Sequence, residues 1–206
     1  MQYQKLELGS YGVNCYILFG QNNTATLIDP GADVPAIEDA LQGARVTTII
    51  LTHGHFDHIY EAPYFRDTYA ASVLIHPGDE AFLQNRRLYA PYGMFSGFPD
   101  KMYRVDGFLQ PGQTISLSGT DFEIIHTPGH TPGSVSLYGG GHLFCGDLLF
   151  RMSIGRTDFP EGDSQLMGKS LDKIMQLDKD TYVHPGHGPD TTIEQEKRQN
   201  PYIKRG

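Results

Sequence analysis

The stretch Thr52-His53-Gly54-His55-Phe56-Asp57-His58 follows directly on the apolar residues Val46, Ile49, Ile50 and Leu51. That run reads as a buried strand, and His53, His55, Asp57 and His58 stand within six positions just past its end. Imidazole nitrogen and carboxylate oxygen are the donors that zinc-type ions favour, and a catalytic ion keeps a position open for water. A strand that ends in a loop of such donors is a metal-site layout. Nine histidines scattered over 206 residues would not by chance concentrate in this way, so further ligands are expected elsewhere in the chain.

Upstream of the stretch, residues 3–8, 14–19 and 24–28 read as strands joined by turns at Gly9-Ser10-Tyr11-Gly12 and Gly20-Gln21-Asn22-Asn23, which predicts an antiparallel meander. Asp29 closes the third strand. Its carboxylate can hydrogen-bond the metal loop or cap its own Pro30-Gly31 turn. Asp33 can cap a helix with Pro35 in the first turn and Ile37, Ala40 and Leu41 on one face. Downstream, residues 59–71 predict a helix with Pro63 in its first turn or at a kink, and residues 72–76 a strand.

Residues 77–107 interleave prolines and glycines with Phe82, Tyr89, Tyr92, Phe95, Phe98 and Tyr103. The pattern predicts a short helix near 79–85 and then an aromatic loop over 85–103. Such a loop either covers the substrate side or a subunit contact, or packs on a small core of its own. Beyond it, 113–117 and 121–127 predict a hairpin, 135–138 and 142–147 two strands, and 163–177 a helix capped by Asp163. A strand at 182–184 and a helix starting at Thr191 or Thr192 close the chain. Two strand-then-helix halves predict two packed sheets with helices outside, an α/β (α+β) arrangement.

Acidic residues outnumber basic ones, 24 to 16, for a net charge of -8. With no Lys/Arg stripe to track phosphates, nucleic acid is not an expected partner. No apolar run approaches the length of a membrane span and the N-terminus lacks a secretory signal pattern, so neither membrane nor export is expected and the cytoplasm is the expected location. Cys15 and Cys145 lie in apolar strands and read as buried free thiols. Nothing in the sequence selects an oligomeric state.

Three more polar residues occupy matching places, each at a predicted strand end next to a glycine: His130 after Gly129, Asp147 after Gly146, His187 after Gly186. Glycine permits the sharp turn that would aim the next side chain into a cleft. Together with His53, His55, Asp57 and His58 they make seven candidate ligands. Seven exceed the needs of one tetrahedral zinc and suit two divalent ions that share a carboxylate and a hydroxide. Zinc is the expected metal, and iron or manganese would accept the same donors.

In this ligand order the sequence resembles the metallo-β-lactamase superfamily, over nearly its whole length. The resemblance implies a four-layer αββα sandwich, one domain over residues 1–206, with the site at one edge. It implies that His53, His55 and His130 bind one metal, that Asp57, His58 and His187 bind the second, and that Asp147 bridges them. The stretch Gly155-Arg156-Thr157-Asp158-Phe159-Pro160-Glu161-Gly162-Asp163 further resembles the short bacterial form of glyoxalase II, the hydroxyacylglutathione hydrolases. Longer members carry a C-terminal helical domain that holds glutathione, and with residues 188–206 following His187 that domain is not expected here. Arg156 matches the cation that contacts the thiol's carboxylate in that family, and it could instead pair with Asp158 or Glu161.

The implied activity is thioester hydrolysis of a small acyl-thiol such as S-lactoylglutathione. Asp57 and Asp147 would be its catalytic carboxylates, with Asp57 orienting the attacking hydroxide. The same motifs resemble persulfide dioxygenases, in which one Fe(II) would sit on His53, His130 and Asp147, and a lactone or ester hydrolase would use the same hydroxide. His76, His126, His142 and His184 lie on or beside strands and read as structural, with His184 the nearest to a pocket role.

Overall fold

A computed structural model describes residues 1–84 and 105–203. The first sheet has the order β1 (Gln2–Leu8), β2 (Val13–Phe19), β3 (Thr24–Ile28), β4 (Arg45–Ile50), β5 (Ser72–Ile75), β6 (Gly107–Phe108). β1 to β3 form the expected antiparallel meander, and β3 to β6 run parallel. The second sheet begins with β7 (Thr114–Leu117), β8 (Thr120–His126), β9 (Val135–Gly139) and β10 (His142–Gly146), each antiparallel to the one before it. β13 (Tyr182–Pro185) lies parallel to β10, and β14 (Thr191–Thr192) closes the edge. Between them β11 (Leu149–Phe150) and β12 (Ser153–Ile154) make a separate hairpin.

Three apolar clusters alternate with the two sheets and account for the four αββα layers. In β2, Cys15 and Ile17 face one cluster, which includes Ile37 and Leu41 of α1 (Val34–Leu41) and Phe65 of α3 (Ala62–Tyr69). Tyr16 and Leu18 face the opposite way, into the layer between the sheets with Ile50, Phe122, Leu137 and Phe144. In β10, Leu143 and Cys145 meet Met167, Leu171 and Ile174 of α5 (Ser164–Ile174) on the far side. Strands buried on both faces read as unbroken apolar runs, which is why Cys15–Leu18 shows no polar alternation. Each such side chain contributes about 1.5–3 kcal/mol on leaving water.

The predicted caps are in place: Asp33 accepts from Ala36 N, Asp163 from Gln165 N and Leu166 N, and Thr192 from Gln195 N of α6 (Ile193–Gln199). The helix predicted over 59–71 is present in shorter form, Ala62–Tyr69, and a separate one-turn helix precedes it. α2 (Phe56–Ile59) starts inside the metal stretch, and α3 restarts at Ala62. Pro63, which lacks an N–H to donate, fits the first turn of a new helix and not the interior of an old one. Asp57 and His58 are therefore helical residues. The short helix near 79–85 is α4 (Glu80–Gln84), whereas the loop of 85–103, expected as a lid, subunit contact or self-packed insertion, lies outside the described residues.

No helix among the described residues is long and apolar enough to cross a membrane. Both cysteines are free and buried. Burial pushes the Cys145 thiol up to about 12 and raises Cys15 further. The expected result at pH 8 is no reaction of the native protein with a chromogenic disulfide reagent, and two thiols titrated once the chain is unfolded. Reaction of either thiol in the folded state would contradict this packing.

Candidate metal centre

Four loops at one edge of the two sheets carry the expected residues. His53 and His55 leave β4, His130 lies in the turn after β8, Asp147 follows β10, and His187 follows β13. Backbone hydrogen bonds stitch these loops together: Val135 N to Thr52 O at 2.9 Å, Asn14 N to Gly186 O at 2.7 Å, Gly186 N to Gly146 O at 2.8 Å. Two of the three glycines make the predicted turn, Gly129 at φ 143° and Gly146 at φ 49°. Gly186 is needed for another reason. A Cβ there would land on the Asp147 carboxylate and within 2.7 Å of His58 Cε1.

Outer partners fix which ring nitrogen of each histidine faces inward. Thr52 Oγ1 donates to Asp29 Oδ2 at 2.6 Å, so at 3.1 Å from His53 Nδ1 it accepts that ring's proton. His58 Nδ1 donates to Asp29 Oδ2 at 2.9 Å, and His130 Nδ1 to Arg156 O at 2.8 Å. His187 Nδ1 points its proton at Tyr11 O and Gly12 O, 3.1 and 3.2 Å away. The Nε2 lone pairs of His53, His58, His130 and His187 are thereby presented inward. His55 is turned the other way, its Nε2 held 2.8 Å from Glu161 Oε1, so it would bind an ion through Nδ1.

These donors converge as two trios. Ligand atoms of His53, His55 and His130 lie within 4.8 Å of one another, as do those of Asp57, His58 and His187. Asp147 spans both: Oδ2 is 3.4 Å from His130 Nε2 and 3.7 Å from His187 Nε2, and Oδ1 is 3.5 Å from His58 Nε2. His53 Nε2, His130 Nε2 and Asp147 Oδ1 are buried polar atoms with no hydrogen-bond partner among the described residues. His58 Nε2 and His187 Nε2 make a hydrogen bond of 3.3 Å, so that pair needs a proton or an ion between its nitrogens. The buried, unpartnered atoms of His53, His130 and Asp147 are costly unless a cation lies among them, so the donor set fits metal ions. Asp29, His53 and His58 also form a trio, but both Asp29 oxygens are already taken by Thr52 and His58, which makes Asp29 a support.

The field divides in the same way. Burial holds His53 well below the usual imidazole range and His130 at about 4, which keeps both rings neutral and ready to donate. Burial also opposes charge on His58, yet Asp147, Asp57 and Asp29 push it up to about 10. His187 is likewise raised, burial being outweighed by Asp57 and Asp147. Against its own burial, Asp57 is drawn below the usual carboxylate range by His58 and His187. It is therefore an anion, and this end of the site favours positive charge.

All seven candidate ligands thus border one site, and Arg156 is beside it. A pocket of about 410 Å³ opens onto His55, Asp57, His130, Asp147 and His187. Its outer wall is formed by Tyr11, Phe56, Phe150, Ile154, Arg156 and Phe159. The Arg156 guanidinium makes two hydrogen bonds to Asp158, at 2.8 and 2.7 Å, and lies 3.8 Å over the Phe159 ring. Of its two alternative partners it takes Asp158, since Glu161 serves His55.

His184 is not at the pocket. It is buried between the sheets, donating to Asp190 at 2.9 Å, 2.8 Å from His142 and stacked on Phe144. Alternation along β13 turns its side chain into the interior. Two supporting carboxylates escape the sequence reading. Glu161 is one. Asp79 is the other, accepting from Gly54 N at 2.8 Å, Gly133 N at 2.6 Å and Thr131 Oγ1 at 2.6 Å. It ties the loop of His53 and His55 to that of His130, and burial raises its pKa. Neither has a local signature, because each acts on a loop distant in sequence.

A family model described as the metallo-beta-lactamase superfamily matches residues 8–187. The chain is 31% identical to "Hydroxyacylglutathione hydrolase GloC" of Haemophilus influenzae, over 98% of each chain. Among solved structures it is similar to one described as BLEG-1 B3 metallo-beta-lactamase, with 36% identity and a TM-score of 0.92 over 98% of this chain and all of that one. It is similar also to TTHA1623 in a di-iron-bound form, with 34% identity and a TM-score of 0.85 over 97% of this chain and all of the other.

Proposed function

The chain belongs to the metallo-β-lactamase superfamily and carries the histidine and aspartate site of a metal-dependent hydrolase, and we propose that it hydrolyses thioesters of small thiols with two divalent ions. In this reading His53, His55 and His130 hold one ion, Asp57, His58 and His187 hold the other, and Asp147 serves both. The observation that carries it is the position of the Asp147 carboxylate, 3.4 Å from His130 Nε2 in one trio and 3.7 Å from His187 Nε2 in the other. Full-length similarity to a hydroxyacylglutathione hydrolase supports the thioester substrate.

When bound, two such ions supply an acidified water and a Lewis acid for a carbonyl. The residues do the rest. Asp57, ionised and on the pocket wall, accepts a hydrogen bond from the attacking water and orients it. Phe56, Phe150, Ile154 and Phe159 form an apolar wall that excludes bulk water from the acyl group and strengthens the electrostatic contacts there. A thiol of pKa about 8.5 departs as thiolate with little help, so the reaction calls for no acid side chain at the leaving group. Neither does it call for a cysteine nucleophile, and Cys15 and Cys145 face the outer apolar clusters. Arg156 would meet a carboxylate of the thiol by exchanging Asp158 for it.

A second reading, hydrolysis of a lactam or lactone, draws on the likeness to a structure described as a B3 metallo-beta-lactamase, since a hydroxide attacks any activated carbonyl. A single iron on His53, His130 and Asp147, with oxygen chemistry, would leave Asp57, His58 and His187 without a task. One experiment separates the three. Metal content is measured on the purified protein, and S-lactoylglutathione, a chromogenic β-lactam, a lactone and glutathione persulfide are then supplied. The expected outcome is two ions per chain and thiol release from the thioester, abolished by a chelator and restored by metal. One iron per chain with oxygen uptake on the persulfide would overturn the proposal, and faster turnover of the lactam or lactone would replace it with the second reading.

A further inference from the structure

The segment from Asp147 to Arg156 touches the metal centre at both ends: Asp147 lies between the two trios, and the carbonyl of Arg156 holds His130. Between these ends the chain folds into the β11–β12 hairpin, closed at its base by Gly155 N to Leu148 O at 3.2 Å. Phe150, Ser153 and Ile154 of the hairpin line the pocket, and the Phe150 ring stands edge-on to His187, 6.1 Å between centroids. Its tip turns through Met152, a non-glycine residue at φ 62°. A two-residue-per-strand hairpin with a left-handed residue at its tip is marginal by itself.

Glu196, in the middle of α6, and Asn200, at its C-terminal end, hold that tip. Glu196 is fully buried. Its Oε2 accepts from Met152 N at 2.9 Å and Asn200 Nδ2 at 2.8 Å, and its Oε1 from Thr191 Oγ1 at 2.5 Å. Asn200, 2% exposed, has Nδ2 3.0 Å from Ser153 O and 3.4 Å from Phe150 O, its two hydrogens divided among these and Glu196 Oε2, so one amide reaches both strands. Burying a carboxylate costs several kcal/mol unless donors surround it. An apolar side chain would pack there more simply, and what the carboxylate adds is the set of donors it gathers, above all the hairpin amide.

We propose that Glu196 and Asn200 are positioning residues for substrate binding: from α6 and its end they hold the β11–β12 hairpin against the metal centre and so set the pocket wall that meets the substrate. The catalytic groups lie at the base of the hairpin and are held by other bonds. Loosening the tip therefore moves the wall and leaves the metal donors where they are. The inference rests on the hydrolase reading only for its activity arm.

The test uses the full chain with Glu196→Gln, which keeps the shape but turns an amide donor toward Met152 N or Thr191 Oγ1, and Asn200→Ala, which leaves the Glu196 to Met152 bond intact. Amide hydrogen exchange is followed in segments 149–154, 142–146 and 182–185, with metal content measured in parallel. Both variants are expected to lose protection in 149–154 while the other two segments and the metal content stay as in the parent. With a hydrolysed substrate, KM is expected to rise about tenfold, the loss of one hydrogen bond to a charged group, at little change in kcat.

Unchanged exchange in 149–154 in both variants, or equal loss in all three segments, overturns the inference. So does a fall in kcat at constant KM. If the parent hydrolyses nothing supplied, the hydrolase reading fails, and the exchange pattern still decides whether these residues position the hairpin.

Discussion

Asp147→Asn is expected to bring the metal content from two ions per chain to one or less and to lower hydrolysis by more than about 100-fold, with the fold retained. The substitution keeps the shape, so the carboxylate's tight seat against Gly186 and His58 still accommodates it. What changes is charge and donor character. One anionic oxygen becomes an amide, and that amide presents hydrogens either to His58 Nε2 at 3.5 Å or to His130 Nε2 at 3.4 Å. The group that served both trios then serves one. Elemental analysis, circular dichroism and thiol release from the same preparation check the three parts. A variant that still holds two ions and turns over thioester would remove Asp147 from the shared position.

The second large effect is expected at Asp29, which is not among the residues lining the pocket. Its Oδ1 accepts from Thr52 N at 2.8 Å, and its Oδ2 from Thr52 Oγ1 at 2.6 Å and His58 Nδ1 at 2.9 Å. In Asp29→Asn one side becomes an amide facing donors. If it faces His58, that ring must move its proton to Nε2, the nitrogen that looks into the site. Metal affinity is expected to drop about 10- to 100-fold. Leaving a buried donor unsatisfied costs about 1–3 kcal/mol, and a chain of this size loses roughly 2–4 °C in Tm for each kcal/mol. Metal titration and thermal unfolding of the metal-free form measure these separately. Unchanged affinity with a lowered Tm would reduce Asp29 to a structural role.

Both effects show what could be read in advance. Asp29 stood at a strand end, where either a turn cap or a contact to the metal loop would suit it, and the contact is what the fold makes. Its φ of 53° lies in the left-handed region, which aspartate tolerates better than most residues. The break between α2 and α3 was half legible: Pro63 announced a first turn, but the start of α2 at Phe56 depends on packing around the site. His184 reads as structural from its strand and is so; its nearness in sequence to His187 counts for little, because neighbours in a strand alternate between faces.

The sequence by itself determined the donors and the layers. Imidazoles and carboxylates have intrinsic metal chemistry, His53-x-His55-x-Asp57-His58 sets their local spacing, and apolar runs such as Cys15–Leu18 state that a strand is covered on both faces. The tertiary structure alone decided how those donors are held and what they face. Gly186 owes its place to the Asp147 carboxylate beside it, Glu161 holds a histidine 106 positions away, and Glu196 fastens a pocket wall from 44 positions away. The reason is physical. A ligand's identity is a property of one residue, whereas its tautomer, its orientation and the shape of the pocket are set by hydrogen bonds between segments that only the closed sandwich brings into contact.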